Sequence, residues 1–185
     1  VVVGSNNPDS LTEAVATDFG FKLVVPAQDD YGALAEKLTQ AYRYLFLSTN
    51  CSGVLKIDDD ISIVDEGKLD ELIRNLDEER DDYIGSLRNY ASPIYHHTPS
   101  RQQNKSNPPH ASHGPGTYCD GGQGYYLSRK SLKAILKKSL TFFNRRDARM
   151  VYEDVWFSEM LRASGIEPVA RSLPLQGGYV TDCLE

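Results

Sequence analysis

Three consecutive aspartates, Asp58-Asp59-Asp60, follow directly on the mostly apolar run Gly53-Val54-Leu55-Lys56-Ile57. A core does not accept adjacent carboxylates without a compensating charge, because each resists desolvation and all repel one another. The run therefore reads as a buried strand that ends where the acids begin, with Ile61-Ser62-Ile63-Val64 continuing as extended chain. Sites in α/β proteins are built at the C-terminal ends of strands, so this junction is where chemistry is expected. The flanking sequence must supply the layers that bury the strand.

Strand-like and helix-like segments alternate on both sides of it. Val1 to Gly4 and Phe21 to Val25 read as short buried strands, the second stopping at Pro26. Between Tyr31 and Leu47, apolar residues recur at Leu34, Leu38, Ala41 and Leu45, the spacing of one helical face. Leu69, Leu72, Ile73 and Leu76 mark a second helix, and Tyr83-Ile84-Gly85-Ser86 another strand. Gly121-Gly122-Gln123-Gly124 leads into Tyr125-Tyr126-Leu127, after which Ser128 is placed to cap a helix carrying Leu132, Ile135 and Leu136. A last helix runs from about Glu153 to Ala163 and stops at Gly165. This alternation predicts an α/β fold with a mixed, mostly parallel sheet flanked by helices. Residues 88–118, rich in Pro, Asn, Ser and all four histidines, read as a long loop over one face of the site.

Several functions are argued against. A net charge of -6 and the lack of a basic stripe oppose a nucleic-acid-gripping surface. Cys51, Cys119 and Cys183 are too widely spaced for a CxxC zinc site and odd in number. His96, His97, His110 and His113 have no partner at metal spacing and read as solvated loop residues. There is no run of about 18 apolar residues, so no membrane span is expected in this chain. The 185 residues are read as a single catalytic domain, cut from a longer chain because Val1 opens inside a strand.

The acids carry the chemistry. A hard divalent cation, Mn²⁺ or Mg²⁺, suits the aspartate run, since such ions take one or two carboxylates, waters and substrate phosphates. In extended chain Asp58 and Asp60 face the same side and can share one ion, with Asp59 turned elsewhere. The alternative is an acidic surface turn without a ligand. Glu153-Asp154 at the start of the last helix is favoured by the macrodipole alone, or supplies a general base. Gly121, Gly122 and Gly124 form either a tight turn or a close approach of backbone to ligand. Tyr125 and Tyr126 offer a stacking face or fill the core.

Taken in order, the segments Asp29-Asp30-Tyr31-Gly32-Ala33-Leu34 with Lys37, Leu55 to Ile61, Tyr118 to Ser128, and Tyr152-Glu153-Asp154-Val155-Trp156 with Leu161 and Gly165-Ile166 resemble the β-1,3-galactosyltransferase and Fringe family. The resemblance runs from Val1 to about Ile166. It implies the GT-A fold and an inverting, metal-dependent transfer of a hexose from a UDP-sugar to a hydroxyl of a glycan. It places Mn²⁺ (or Mg²⁺) at Asp58 and Asp60, with Asp58, Asp59, Lys37, Gly121 and Gly122 on the donor. Asp154, with Glu153 beside it, becomes the catalytic acid pair, Asp154 taking the proton of the acceptor hydroxyl. Family members usually carry an N-terminal membrane anchor and often a C-terminal histidine ligand, whereas no histidine follows His113 here. The expected setting is a microbial or viral cytoplasm, with the Golgi lumen as alternative. The competing readings are a non-catalytic sugar- or nucleotide-binding module and a phosphohydrolase whose nucleophile lies in a DxD motif.

Overall fold

A computed structural model describes residues 1–7, 9–18, 20–29, 33–76, 80–90, 115–142 and 152–177. The four histidines, the Asp30 to Gly32 segment and Cys183 lie outside these residues, as does most of the expected loop.

In chain order the strands β1 (Val2–Gly4), β2 (Glu13–Thr17) and β3 (Gly20–Val25) come first, followed by helix α1 (Leu34–Ser48), β4 (Gly53–Lys56) and β5 (Ile61–Ile63). Helix α2 (Glu66–Arg74), β6 (Tyr83–Gly85), β7 (Leu87–Tyr90) and β8 (Gly116–Cys119) lead to a single 3-10 turn, Gly121–Gln123. The chain ends with β9 (Tyr125–Ser128), α3 (Arg129–Phe142), α4 (Glu153–Arg162), β10 (Val169–Ala170) and β11 (Leu175–Gly177).

The sheets are mixed, and the expectation of a mostly parallel one is corrected. Strand β3 lies between β1, parallel to it, and β2, antiparallel to it. The central sheet has the order β10-β6-β9-β4, in which only β10 and β6 pair in parallel. β4 and β6 do run the same way, as a strand-helix-strand unit through α2 requires, but β9 lies between them and is antiparallel to both. Apolar periodicity reports burial and not the direction of a neighbour, so nothing in Tyr125-Tyr126-Leu127 announced this insertion.

The ends of the expected 88–118 loop are also strands: β7 and β8 pair antiparallel, with Arg88 opposite Tyr118 and Leu87 opposite Cys119. They bury little beyond Tyr90 and Cys119, so they gave almost no periodic signal. Strand β2, exposed along its whole length, was invisible for the same reason.

The core sits between the central sheet and helices α1, α3 and α4. Tyr83 and Tyr125 meet edge to face with ring centroids 5.8 Å apart, and the Tyr125 hydroxyl lies 3.2 Å from that of Tyr42 on α1. Tyr125 is fully buried, so of the two readings offered for this residue the structure selects the core. Leu127, Leu132, Ile135, Phe157, Met160 and Leu161 complete the layer. Ser128 caps α3 as expected, its hydroxyl accepting from the Ser131 N–H at 3.2 Å. It also donates to Asp82 at 2.6 Å, and Lys130 pairs with the same carboxylate. The Arg129 guanidinium donates to the carbonyls of Phe46, Thr49 and Cys51, closing the C-terminal end of α1. These contacts lock α1 and α3 to the end of β4 remote from the aspartates.

Candidate active site

Strand β4 carries the chain through the sheet and releases it at Lys56, opposite Tyr125 of β9. The backbone then turns, with the Ile61 N–H donating to the Asp58 carbonyl at 3.2 Å. Asp59 and Asp60 are exposed and Asp58 is half-buried, its side chain 38% accessible. After the turn, β5 pairs with β11, Ile61 opposite Gly177 and Ile63 opposite Leu175. The C-terminal segment thus braces the aspartate turn, a role its three-residue strand did not disclose in sequence.

The residue that organises the site is Lys56. Its side chain is 6% accessible, and its ammonium donates to Asp58 Oδ1 at 2.5 Å and to the Gly121 carbonyl at 2.8 Å. Glu153 Oε1 lies 3.2 Å away as an ion pair, without conventional hydrogen-bond geometry. Burial opposes the charge on Lys56, but Glu153 and Asp58 outweigh it and hold the amine protonated above its ordinary range. Within a mostly apolar run this lysine passed as a tolerated exception in the sequence. The available signal was a cation on the strand two residues before the acids.

The glycine turn joins the two acid groups. Asp120 caps it by accepting from the Gly122 N–H at 3.0 Å, and Arg88 holds the other Asp120 oxygen at 3.0 Å. The Gly121 N–H donates to Asp154 Oδ2 at 3.1 Å. A methyl group on Gly121 would sit 2.5 Å from Glu153 Oε1, so any side chain there displaces the acid. Gly124 has a φ of 79°, in the region that favours glycine, and an added Cβ would lie 2.9 Å from the Lys56 carbonyl. The turn is thus tight, as one of the two readings of the GGxG segment has it, and its backbone lies against the protein's own acids.

Glu153 and Asp154 open helix α4. Glu153 is buried and faces Lys56. The Asp154 oxygens accept from the Gly121 N–H and, at 2.8 Å, from the Val155 N–H. Burial first, and then the negative charge of Glu153, push the Asp154 carboxyl up from its ordinary 3.8 to about 7, against the two N–H groups that favour ionisation. A carboxyl so placed exchanges its proton near neutral pH. Beside it, burial and the charge of Asp154 push the half-buried Tyr118 hydroxyl up to about 12, keeping it a neutral phenol. The Tyr118 ring packs on Tyr90 at 5.9 Å, forming an aromatic wall with Tyr152 and Val155.

Lys37, on α1, is tied to the ends of β1 and β3. It donates to Asp29 at 3.0 Å, and Asp29 in turn accepts from the Gly4 N–H at 3.1 Å and donates its own N–H to Asn6. The Gly4 N–H and Lys37 hold the Asp29 carboxyl below its ordinary value. The structure thus brings together Asp58, Gly121, Gly122, Glu153 and Asp154, with Asp59 and Asp60 on the adjoining turn. Lys37 is placed at the ends of β1 and β3.

Among the described residues no group of three His, Cys, Asp or Glu side chains converges as a metal cage. The oxygen donors of an accessible aspartate turn, next to further acids balanced by one buried ammonium, nevertheless fit a hard cation that keeps waters and substrate phosphates as its remaining ligands.

A mixed α/β frame in which an accessible aspartate turn and the acid pair opening α4 are joined through Lys56 and Gly121 fits a glycosyltransferase domain. The family model described as Galactosyltransferase matches residues 3–171, and the chain belongs to that family. Comparison with curated proteins gave no match. Membership carries a glycosyltransferase activity, with a sugar donor and a glycan acceptor. Among the described residues no helix is long and apolar enough to cross a membrane.

Proposed function

We propose that this chain is an inverting hexosyltransferase that uses a UDP-sugar and depends on Mn²⁺ or Mg²⁺. The observation that supports it best is the double use of Gly121: its carbonyl is held by the lysine that holds Asp58, and its N–H is held by Asp154. The aspartate turn and the candidate base therefore flank one residue, on either side of the same glycine turn.

In this reading Asp58 and Asp60 hold the cation, which when bound supplies positive charge to the departing diphosphate. Asp59 and the Gly121-Gly122 turn border the donor, and Lys37 contributes from the ends of β1 and β3. The acceptor hydroxyl attacks the anomeric carbon, its proton passes to Asp154, and the bond from that carbon to the diphosphate oxygen breaks to release UDP. A carboxylate with a pKa near 7 suits this task, because it is largely ionised at slightly alkaline pH and still basic enough to take the proton. Glu153 serves as the counter-ion of Lys56 and raises the basicity of its neighbour.

Asp154→Asn is the direct test. The variant is expected to bind UDP in the presence of Mn²⁺ like the parent and to lose transfer by about 100-fold or more. Undiminished transfer in Asp154→Asn would remove the base from this account.

A further inference from the structure

Lys56 has no role in the chemistry above, yet it makes the densest set of polar contacts in the site. Its ammonium donates to Asp58 and to the Gly121 carbonyl, and Glu153 adds an ion pair at 3.2 Å. These partners come from three parts of the chain: the aspartate turn, the glycine turn and the first residue of α4. If neutralising Glu153 were the whole purpose, no bond to the half-exposed Asp58 would be needed. Burying a charged pair is also the costlier way to fill a core, since apolar residues of similar volume often serve as well or better.

The geometry points to Lys56 as a positioning residue that fixes the separation between the aspartate turn and the Asp154-bearing end of α4. The inference rests on the glycosyl-transfer reading of the same site. It holds both neighbours of Asp154, Glu153 through the covalent chain and Gly121 through the hydrogen bond to Asp154 Oδ2. Lys56 also takes one oxygen of Asp58, whose side chain stays 38% accessible. Partners behind a metal ligand typically change metal affinity or activity by about 10–100-fold when removed, and a misplacement of about 1 Å between reacting groups can cost about 100-fold in rate. Arginine is a poor substitute, because a rigid planar fork does not reproduce two hydrogen bonds and an ion pair diverging from one compact charge.

The test uses the full chain with UDP, Mn²⁺ and UDP-galactose as probes. Lys56→Met alone leaves Glu153 buried opposite a thioether, so Lys56→Met/Glu153→Gln carries the measurement and Glu153→Gln is its control. The control keeps the bonds from Lys56 to Asp58 and Gly121, and is expected to hold Mn²⁺ affinity in saturating UDP within about threefold of the parent. The double variant is expected to melt cooperatively, to bind Mn²⁺ about 10–100-fold more weakly, and to release UDP from UDP-galactose about 100-fold more slowly even at saturating Mn²⁺. A double variant with the metal affinity and rate of the control overturns the inference and leaves the glycosyl-transfer reading intact. Loss of Mn²⁺ affinity in Glu153→Gln as large as in the double variant also overturns it, by assigning the effect to Glu153. A parent chain that binds no UDP in Mn²⁺ overturns the glycosyl-transfer reading itself, and this inference with it.

Discussion

Asp154→Asn has a consequence for stability that is independent of catalysis. Folding raises the Asp154 pKa from 3.8 to about 7, through burial and the charge of Glu153. Between those values the folded protein holds a proton that the unfolded chain has released. Stability from this group is therefore greatest below pH 3.8, is lost as the pH rises to about 7, and is constant above. At about 1.4 kcal/mol per pH unit, the part lost between about pH 5 and about pH 8.5 is at most about 3 kcal/mol. Asparagine stays neutral, so the variant lacks this loss, whatever constant offset its amide introduces at Gly121 and Val155. For a domain of this size about 1 kcal/mol moves Tm by about 2–4 °C. Thermal unfolding followed by circular dichroism should thus show the Tm difference between variant and parent shifting in favour of the variant by up to about 6–12 °C between the two pH values. Identical pH dependence of Tm in the two proteins would refute the placement of Asp154 as a part-buried, proton-retaining carboxyl.

Three further outcomes are expected. Gly121→Ala pushes a methyl group into Glu153 and should cost about 1–3 kcal/mol in urea denaturation, with donor turnover down at least about tenfold; unchanged turnover would show that the turn is not part of the site. Arg171→Ala removes the two-pronged bond to the buried Asp81, at 3.0 and 2.7 Å, and should lower stability by about 2 kcal/mol while leaving turnover within about twofold; a large fall in turnover of the folded variant would tie this remote pair to catalysis. The parent's kcat/KM for a UDP-sugar should rise with pH through about 7 as Asp154 ionises, and a profile flat from about pH 5.5 to about pH 8.5 would contradict its role as base.

What the sequence revealed depended on how much apolar surface each segment buries. Helix α1 was legible because Leu38 and Ala41 lie on its inner face, although the buried stripe is centred on Ala35, Leu38 and Tyr42 and leaves Leu45 half-covered. The end of β4 was legible because an apolar run cannot continue into three aspartates. The start of α4 was placed at Glu153, where the structure has it, because Val155, Trp156, Phe157, Met160 and Leu161 follow at core positions. By contrast, β2, β7 and β11 bury little, and the direction of β9 between β4 and β6 is a property of tertiary pairing that no local pattern carries. Lys56 was overlooked because a single lysine in an apolar run has many bland explanations, and only the convergence of Asp58, Gly121 and Glu153 distinguishes it.

The central claim is most directly tested by calorimetric titration of UDP, GDP and TDP, and of the corresponding sugar nucleotides, into the full chain with and without Mn²⁺. The account predicts that UDP and one or more UDP-sugars bind when Mn²⁺ is present, that binding is lost on its removal or in Asp60→Ala, and that GDP and TDP bind far more weakly. Equal binding of UDP with and without the metal, or no binding of any of these nucleotides, would contradict it.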